Sequence, residues 1–280
     1  MKINKNSLQA RIKNLAQLNG IPSNVVLQNY FFDAFLKRLA KSKYCDKFVF
    51  KGGYLLSTLI GINNRATVDM DFHIEHLKIE EQNIRHIFED ISSIDVQDNV
   101  SFEFMDISEI RPDDEYGGFN ICLLGKLENI RELVSVDVAT GDPIMPGPIS
   151  FEYKCLFDNE LLNLKRYSFE TIISEKLQTL LSRSVLNSRA KDYYDLFVIF
   201  KMRWSDIDIE VLKRAFRKTC EYRKTIFDKS QSLQILEEIK TNERMKNRWK
   251  SYADKKYFTK NISFEDTLEA VEYIINAIFA

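Results

Sequence analysis

The chain of 280 residues is poor in the residues that staple or punctuate small secreted folds. Its four cysteines, Cys45, Cys122, Cys155 and Cys220, lie far apart and show no C-x-x-C spacing. That pattern, with no apolar signal core in residues 1–14, favours reduced buried thiols over a disulfide framework or a zinc site. Five prolines and nine glycines form no Gly/Ser/Pro tract, which argues against a disordered chain. No apolar run approaches the ~20 residues of a membrane span, so a soluble cytoplasmic protein without a membrane partner is expected. Neither charge sign is in excess: 40 Lys and Arg face 41 Asp and Glu, a net charge of −1. No global basic field announces nucleic acid, although a local basic face remains compatible with it. What is plentiful is core material. With 20 Phe and 12 Tyr the chain can fill one large domain or two smaller ones.

Periodicity divides the chain. Helical spacing marks residues 7–19, ended by Gly20, and a second helix from Pro22-Ser23 to about Ser42. A short β-rich run, Phe48-Val49-Phe50, leads into Gly52-Gly53 and a helix closed by Gly61. A strand over residues 67–75 and a helix over 80–94 follow. Strand patterns then occupy 100–105, 118–124 and 132–138, with the turn-rich stretch 111–117 between the first two. Residues 141–148 hold three of the five prolines and read as irregular, with one further strand over 149–153. Beyond Leu164 helical patterns dominate, at 168–180, 190–201, 207–221, 229–251 and 263–279, with only weak strand candidates. A boundary near residue 160 therefore separates a mixed α/β half, 1–160, from a helical half, 161–280.

The stretch with most chemical content is Phe50-Lys51-Gly52-Gly53-Tyr54-Leu55-Leu56, followed by Arg65-Ala66-Thr67-Val68-Asp69-Met70-Asp71-Phe72. Side chains two apart on a strand share a face, so Asp69 and Asp71 project together while Val68, Met70 and Phe72 face the other way. Adjacent like charges repel unless a cation joins them, and hard carboxylate oxygens suit Mg²⁺. A glycine turn opening a helix offers backbone N–H groups to a phosphate. Either half alone reads as a surface strand or an ordinary turn; side by side they read as a metal and nucleotide site. Asp137 lies inside the apolar run Val134-Ser135-Val136-Asp137-Val138. Antiparallel pairing with the Asp69/Asp71 strand would bring a third carboxylate to the same metals. His73-x-x-His76 lacks a clear third ligand and reads as surface.

The helical half carries Glu175-Lys176-Leu177 and Arg189-x-Lys191-Asp192-x-x-Asp195-Leu196. Asp192 and Asp195 are three apart and share a helix face. The polar break at 184–188 places Lys176 and Asp192 on adjacent, facing helices. Lysine supplies a compact charge for a phosphate and arginine a bidentate clamp; ordinary charged helix surface is the plain alternative.

In this order the motifs resemble the AbiEii/AbiGii nucleotidyltransferase toxins and, similarly, MenT-type toxins. The resemblance spans about residues 48–200. It implies an α+β fold: a DNA-polymerase-β-like nucleotidyltransferase core, a mixed sheet with flanking helices, then a helical C-terminal region. It implies transfer of a nucleotide from an NTP with Mg²⁺, or Mn²⁺ in its place. The acceptor it implies is RNA, such as the tRNA 3′ end, and the setting a toxin–antitoxin system giving abortive phage infection, with a winged-helix antitoxin as partner. Asp69 and Asp71 match the metal-binding pair, with Asp137 a looser third ligand. Lys176 matches the nucleotide-contacting lysine, and Asp192 or Asp195 the essential late aspartate. Gly52, Gly53, Arg65, Thr67, Arg189 and Lys191 complete the nucleotide-binding set. The wider superfamily carries Gly-Ser at the turn; here the nearest hydroxyls are Tyr54, Ser57 and Thr58, which shifts phosphate contact onto backbone N–H groups.

Two alternatives stand beside this reading: a protein or small-molecule nucleotidylyltransferase on the same core, and a non-catalytic binding module. For RNA, the basic runs at Lys213, Arg214, Arg217, Lys218, Arg223 and Lys224, and at Lys240, Arg244, Lys246, Arg248 and Lys250 with Trp249 and Tyr252, are the expected contact.

Overall fold

The computed structural model describes residues 3–110, 117–158 and 160–280, so the turn-rich stretch lies, Gly117 excepted, outside them. The chain divides into two compact units. The first runs to Gly141 and resumes at Ile149–Arg166; the second joins Asp142–Pro148 to Tyr167–Ala280.

In the first unit, helices α1 (Lys5–Asn19) and α2 (Ser23–Lys41) precede strand β1 (Phe48–Lys51) and helix α3 (Gly52–Ile60). Strand β2 (Asp69–Ile74), helix α4 (Glu81–Ser93) and strands β3 (Ser101–Ile110), β4 (Gly118–Leu127) and β5 (Ile130–Ala139) follow. Strands β6 (Ile149–Lys154) and β7 (Leu161–Arg166) close the unit. Asn4 caps α1 by accepting from the Ser7 N–H, and Gly20 stops it at φ 63°, where a Cβ would be strained. The seven strands form one mixed sheet in the order β3-β4-β5-β2-β1-β7-β6.

One face of this sheet is apolar because every second residue is. Phe48, Phe50, Met70, Phe72, Ile121, Leu123, Val134, Val136 and Val138 are all buried. Helices α2 and α4 cover that face: Phe35 stacks on Phe88, and Phe88 meets Phe48 edge-on. Each such ring contributes about 2–3 kcal/mol by leaving water. The alternate residues of β2 and β5, Asp69, Asp71, Ser135 and Asp137, are only half-buried. Hydrophobic alternation thus puts the carboxylates on the polar face of the sheet.

Four details depart from the sequence reading. Strand β2 pairs with β5 in parallel, not antiparallel, because the chain crosses over through α4, β3 and β4 between them. Strand β7 runs parallel to β1, so the sheet continues past residue 160. Val68 precedes β2 and is exposed instead of facing the core. His73 shares the parity of the carboxylates yet is buried, while His76 is exposed.

A buried polar network ties α2, α3 and β6 together. The Asp33 carboxylate accepts from the Tyr153 hydroxyl and, at 2.5 Å, from the Leu156 N–H. Tyr153 in turn meets the Tyr54 hydroxyl at 2.7 Å. Burial pushes the Asp33 pKa up to about 7, against the lowering effect of the two hydrogen bonds. The folded chain therefore keeps a proton that the unfolded chain releases above its ordinary value near 4. The stability from that proton is present below pH 4 and is lost as pH rises through 7. The stability difference between the wild-type chain and Asp33→Asn should thus fall by roughly 1 kcal/mol per pH unit between pH 5 and 7. Denaturant unfolding across that range measures it.

The second unit is helical: α5 (Phe169–Arg183), α6 (Ala190–Arg203), α7 (Ile209–Tyr222), α8 (Lys229–Thr241), α9 (Glu243–Ala253) and α10 (Phe264–Ile278). Side-chain caps start five of the six. Ser168, Asp208 and Asp228 each accept first-turn N–H groups, and Ser263 with Asp266 forms a capping box. The expected helix over 229–251 is two helices. Asn242 accepts from the Arg244 and Met245 N–H groups and so caps α9 inside a pattern that is otherwise continuous.

Candidate active site

The site begins with a junction that only glycine permits. β1 ends at Lys51, and the chain turns at once into α3 with Gly52 at φ 71°. A Cβ on Gly52 would stand 2.7 Å from Asp71 Cβ and closer still to the Asp71 carboxylate. Gly52 is therefore the floor on which Asp71 rests. That seat also lies at the N-terminus of α3, whose first turn has no side-chain cap at Lys51. The helix dipole stabilises negative charge there. Gly52→Ala is expected to strain the backbone by ~1–2 kcal/mol and to push the carboxylate off its seat. Thermal unfolding together with Mn²⁺ binding would register both effects.

Sheet register extends the site sideways. Lys51 pairs with Asp71, Asp71 with Asp137, and Asp137 with Asn120, so these four share one cross-strand row and one face. Asp69 and Ser135 form the adjacent row. Asn120 Nδ2 donates to Asp137 Oδ1 at 2.6 Å and to Ser135 Oγ at 2.7 Å, which fixes the third carboxylate. Asn120 has no motif to betray it in the sequence, and Lys51, although it borders the glycine turn, is brought beside Asp71 only by the register. Among the described residues no three His, Cys, Asp or Glu side chains converge into a closed metal cage. The arrangement is a same-face carboxylate pair with a third acid one strand away. That suits Mg²⁺, which commonly takes one or two carboxylates and completes its shell with water and substrate phosphates.

The segment between α3 and β2 is pinned to α3. Ser57 Oγ donates to the Arg65 carbonyl at 2.6 Å. Arg65 is buried, and its guanidinium donates to the Ala66 carbonyl. Thr67 Oγ1 donates to Asp69 Oδ1 at 2.5 Å. The three hydroxyls that follow Gly53 are all engaged elsewhere: Tyr54 with Tyr153, Ser57 with Arg65, Thr58 with the Leu55 carbonyl.

In the second unit α5 and α6 face each other through an ion cluster. Lys176 Nζ lies 2.9 Å from Asp192 Oδ1 and 2.7 Å from Asp195 Oδ2, and Arg189 Nε donates to Asp192 Oδ2 at 2.8 Å. Spacing of three on α6 aims both aspartates at the same ammonium. Burial alone would lower the Lys176 pKa, but the two carboxylates outweigh it and hold the lysine charged. Burial works against Asp192 too, and Lys176 with Arg189 overcomes it and depresses its pKa. Of the three N–H groups on the ammonium, two serve the aspartates. Arg189 is itself paired with Asp192, and Lys191 is half-exposed on the first turn of α6.

The basic runs fit the expected nucleic-acid face only in part. Arg223 is bound to Asp142 at 2.9 Å and to Gln178 at 2.8 Å, and Arg248 donates to the Asn187 carbonyl at 2.7 Å. Trp249 is buried and stacks on Phe264, so it is core and not a base platform. Lys213, Arg217, Lys240 and Lys246 each meet a glutamate one turn away. Arg214, Lys218, Lys224, Arg244 and Lys250 are exposed.

A family model described as nucleotidyl transferase AbiEii toxin, type IV toxin–antitoxin system, matches residues 34–270. No curated protein matches the chain. Among solved structures, a candidate nucleotidyltransferase from Helicobacter pylori aligns with TM-score 0.51 at 17% identity, over 92% of this chain and 96% of that one. JHP933, also from Helicobacter pylori, aligns with TM-score 0.50 at 17% identity, over 92% of this chain and 93% of its own. At that identity the two structures speak for a shared fold.

Proposed function

The chain belongs to the AbiEii family of nucleotidyl transferase toxins, and from that premise we propose that it transfers a nucleoside monophosphate from an NTP to the 3′ end of tRNA, using Mg²⁺. The observation that carries the proposal is the carboxylate pair Asp69/Asp71 on the polar face of the sheet, with Asp71 seated on Gly52 at the uncapped start of α3. In the reaction the acceptor hydroxyl releases its proton to solvent as its oxygen bonds to the α-phosphorus, the bond from that phosphorus to the oxygen bridging to the β-phosphate breaks, and pyrophosphate leaves.

Asp69 and Asp71 would hold the divalent ion, Mg²⁺ or Mn²⁺, with Asp137 as a third ligand. Such an ion supplies charge neutralisation at the phosphoryl oxygens and activates the hydroxyl. The protein's own groups do the rest. Backbone N–H groups of the first turn of α3, at Gly53 and after, donate to phosphate oxygens. By the family resemblance Lys176 would contact the nucleotide as a phosphate-binding cation; within the second unit Asp192 and Asp195 hold its ammonium in place and keep it charged. Lys191 and Arg189 add positive potential beside it. Buried Arg65 holds the segment that carries Thr67 and Asp69.

A family of toxins implies an antitoxin, and a winged-helix repressor encoded next to this chain is the proposed partner, with abortive phage infection the proposed setting. Incubation with each labelled NTP, with and without tRNA, tests the acceptor. Label in tRNA supports the proposal. Label on the protein alone would instead make the chain a protein nucleotidylyltransferase.

A further inference from the structure

Gly53 does something different from Gly52. Its backbone is not in the left-handed region, so no conformational demand keeps a side chain away. What does so is the space itself. A Cβ on Gly53 would fall 3.1 Å from Arg65 Nη2, 3.2 Å from Thr67 Oγ1 and 3.3 Å from Thr67 Cβ. The position is left bare so that Thr67 can pack against the helix start. Thr67 is held there by its neighbours, since Ser57 anchors the Arg65 carbonyl at 2.6 Å and the Arg65 guanidinium binds the next carbonyl.

From that place Thr67 Oγ1 donates to Asp69 Oδ1 at 2.5 Å. A hydroxyl-to-carboxylate bond this short is of the strong, charge-assisted kind. It occupies one oxygen of Asp69 and fixes the rotation of the carboxylate. Among the described residues no protein donor reaches Asp69 Oδ2, which is therefore left for a cation. Threonine suits the task, because its branched Cβ restricts χ1 and so aims the hydroxyl.

We propose that Thr67 is a positioning residue for the metal ligand Asp69: it takes Oδ1, turns Oδ2 toward the divalent cation, and depends on the absence of a side chain at Gly53 to reach it. The assignment rests on the reading of Asp69 as a metal ligand. It moves Thr67 out of the nucleotide-contacting set and into the support of the cation.

The test is Mn²⁺ titration of the full-length protein without NTP, followed by electron paramagnetic resonance, on the wild type and on Thr67→Val, Thr67→Ser, Gly53→Ala and Asp69→Asn. Thr67→Val keeps the branched shape and loses the donor. It should weaken Mn²⁺ binding about tenfold, the size typical of outer-shell partners of metal ligands. Thr67→Ser, which restores the donor, should stay within about twofold of wild type. A role in packing alone would spare the valine variant and penalise the smaller serine, the reverse order. Gly53→Ala, which pushes Thr67 by a few tenths of an ångström, should weaken binding while the thermal midpoint holds. Wild-type Mn²⁺ affinity in Thr67→Val, with affinity lost in Asp69→Asn, overturns the positioning role and leaves the metal reading standing. A raised KM for NTP in Thr67→Val at unchanged Mn²⁺ affinity overturns it in favour of direct nucleotide contact. A wild-type chain that binds Mn²⁺ no better than Asp69→Asn overturns the metal reading, and this assignment with it.

Discussion

Alanine at Asp69 is expected to remove transfer of label from NTP to RNA, with a loss of at least about a hundredfold. The reasoning is electrostatic. Asp69 and Asp71 are held on one face by the two-residue strand period, and Asp71 cannot move away because Gly52 and the start of α3 fix it. Deleting Asp69 removes one of the three carboxylates that would hold the cation. The cost should be ~3 kcal/mol or more in the barrier, comparable to deleting one preorganised charge-stabilising group. Folding should not suffer, because Asp69 is half-exposed and its carboxylate accepts from Thr67, a neighbour two residues away. Asp69→Asn, with nearly the same shape, separates the two effects: it should keep the wild-type melting temperature and lose Mg²⁺-dependent activity. An inactive Asp69→Asn protein that also melts well below wild type would make the carboxylate a structural group instead.

Lys176→Met is expected to unfold at a temperature lower by on the order of 10 °C. Lys176 places its ammonium between two fully buried carboxylates, with side chains of Asp192 and Asp195 at 2% and 0% exposure. Removing one partner from a buried ion cluster typically costs ~3–5 kcal/mol, because the remaining charges lose their compensation. In a chain of this size each kilocalorie is worth about 2–4 °C. Arginine at 189 still meets Asp192, but it reaches only one of the two acids. The pH dependence gives a second signature. Asp192 has its pKa depressed in the folded wild type. Its contribution is therefore present above the ordinary carboxylate pKa and is lost as pH falls through the depressed value. In Lys176→Met the sign reverses: one of the facing carboxylates gains from taking up a proton, so mild acid should partly restore stability. A Lys176→Met protein that melts within 2 °C of wild type at neutral pH would show that the cluster carries no such energy.

Much of this architecture is legible in the sequence itself. The helices were legible because their apolar stripes and their caps agree, as at Ser168 and Ser263. The Lys176–Asp192–Asp195 cluster was legible because a helix repeat fixes which residues share a face. The Asp69/Asp71 pair was legible for the same reason, with the strand repeat in place of the helix one. What escaped was information that local sequence does not carry. Whether β2 meets β5 in parallel is decided by the crossover between them, and no residue of either strand records it. Strand β7 buries only Leu162 and Leu164, and its pattern is too short to stand out. The break at Asn242 hides inside a continuous helical stripe, because one capping side chain is enough to start a new helix. Asn120, Lys51 and the bond from Thr67 to Asp69 depend on register and on side-chain direction. Conversely, Trp249 and Arg248 read as nucleic-acid contacts because aromatic and basic residues alternate there; burial makes Trp249 core, and half-buried Arg248 is held by the Asn187 carbonyl.

The central claim is that the carboxylate face of the sheet drives nucleotidyl transfer to RNA. The most direct measurement is incorporation of label from each of the four NTPs into total RNA in the presence of Mg²⁺, wild type beside folded Asp69→Asn. The expected result is labelled RNA of tRNA size with the wild type, abolished by Asp69→Asn and by chelation of the metal. Equal labelling by both proteins, or no labelling of RNA by the wild type with any NTP, would contradict it.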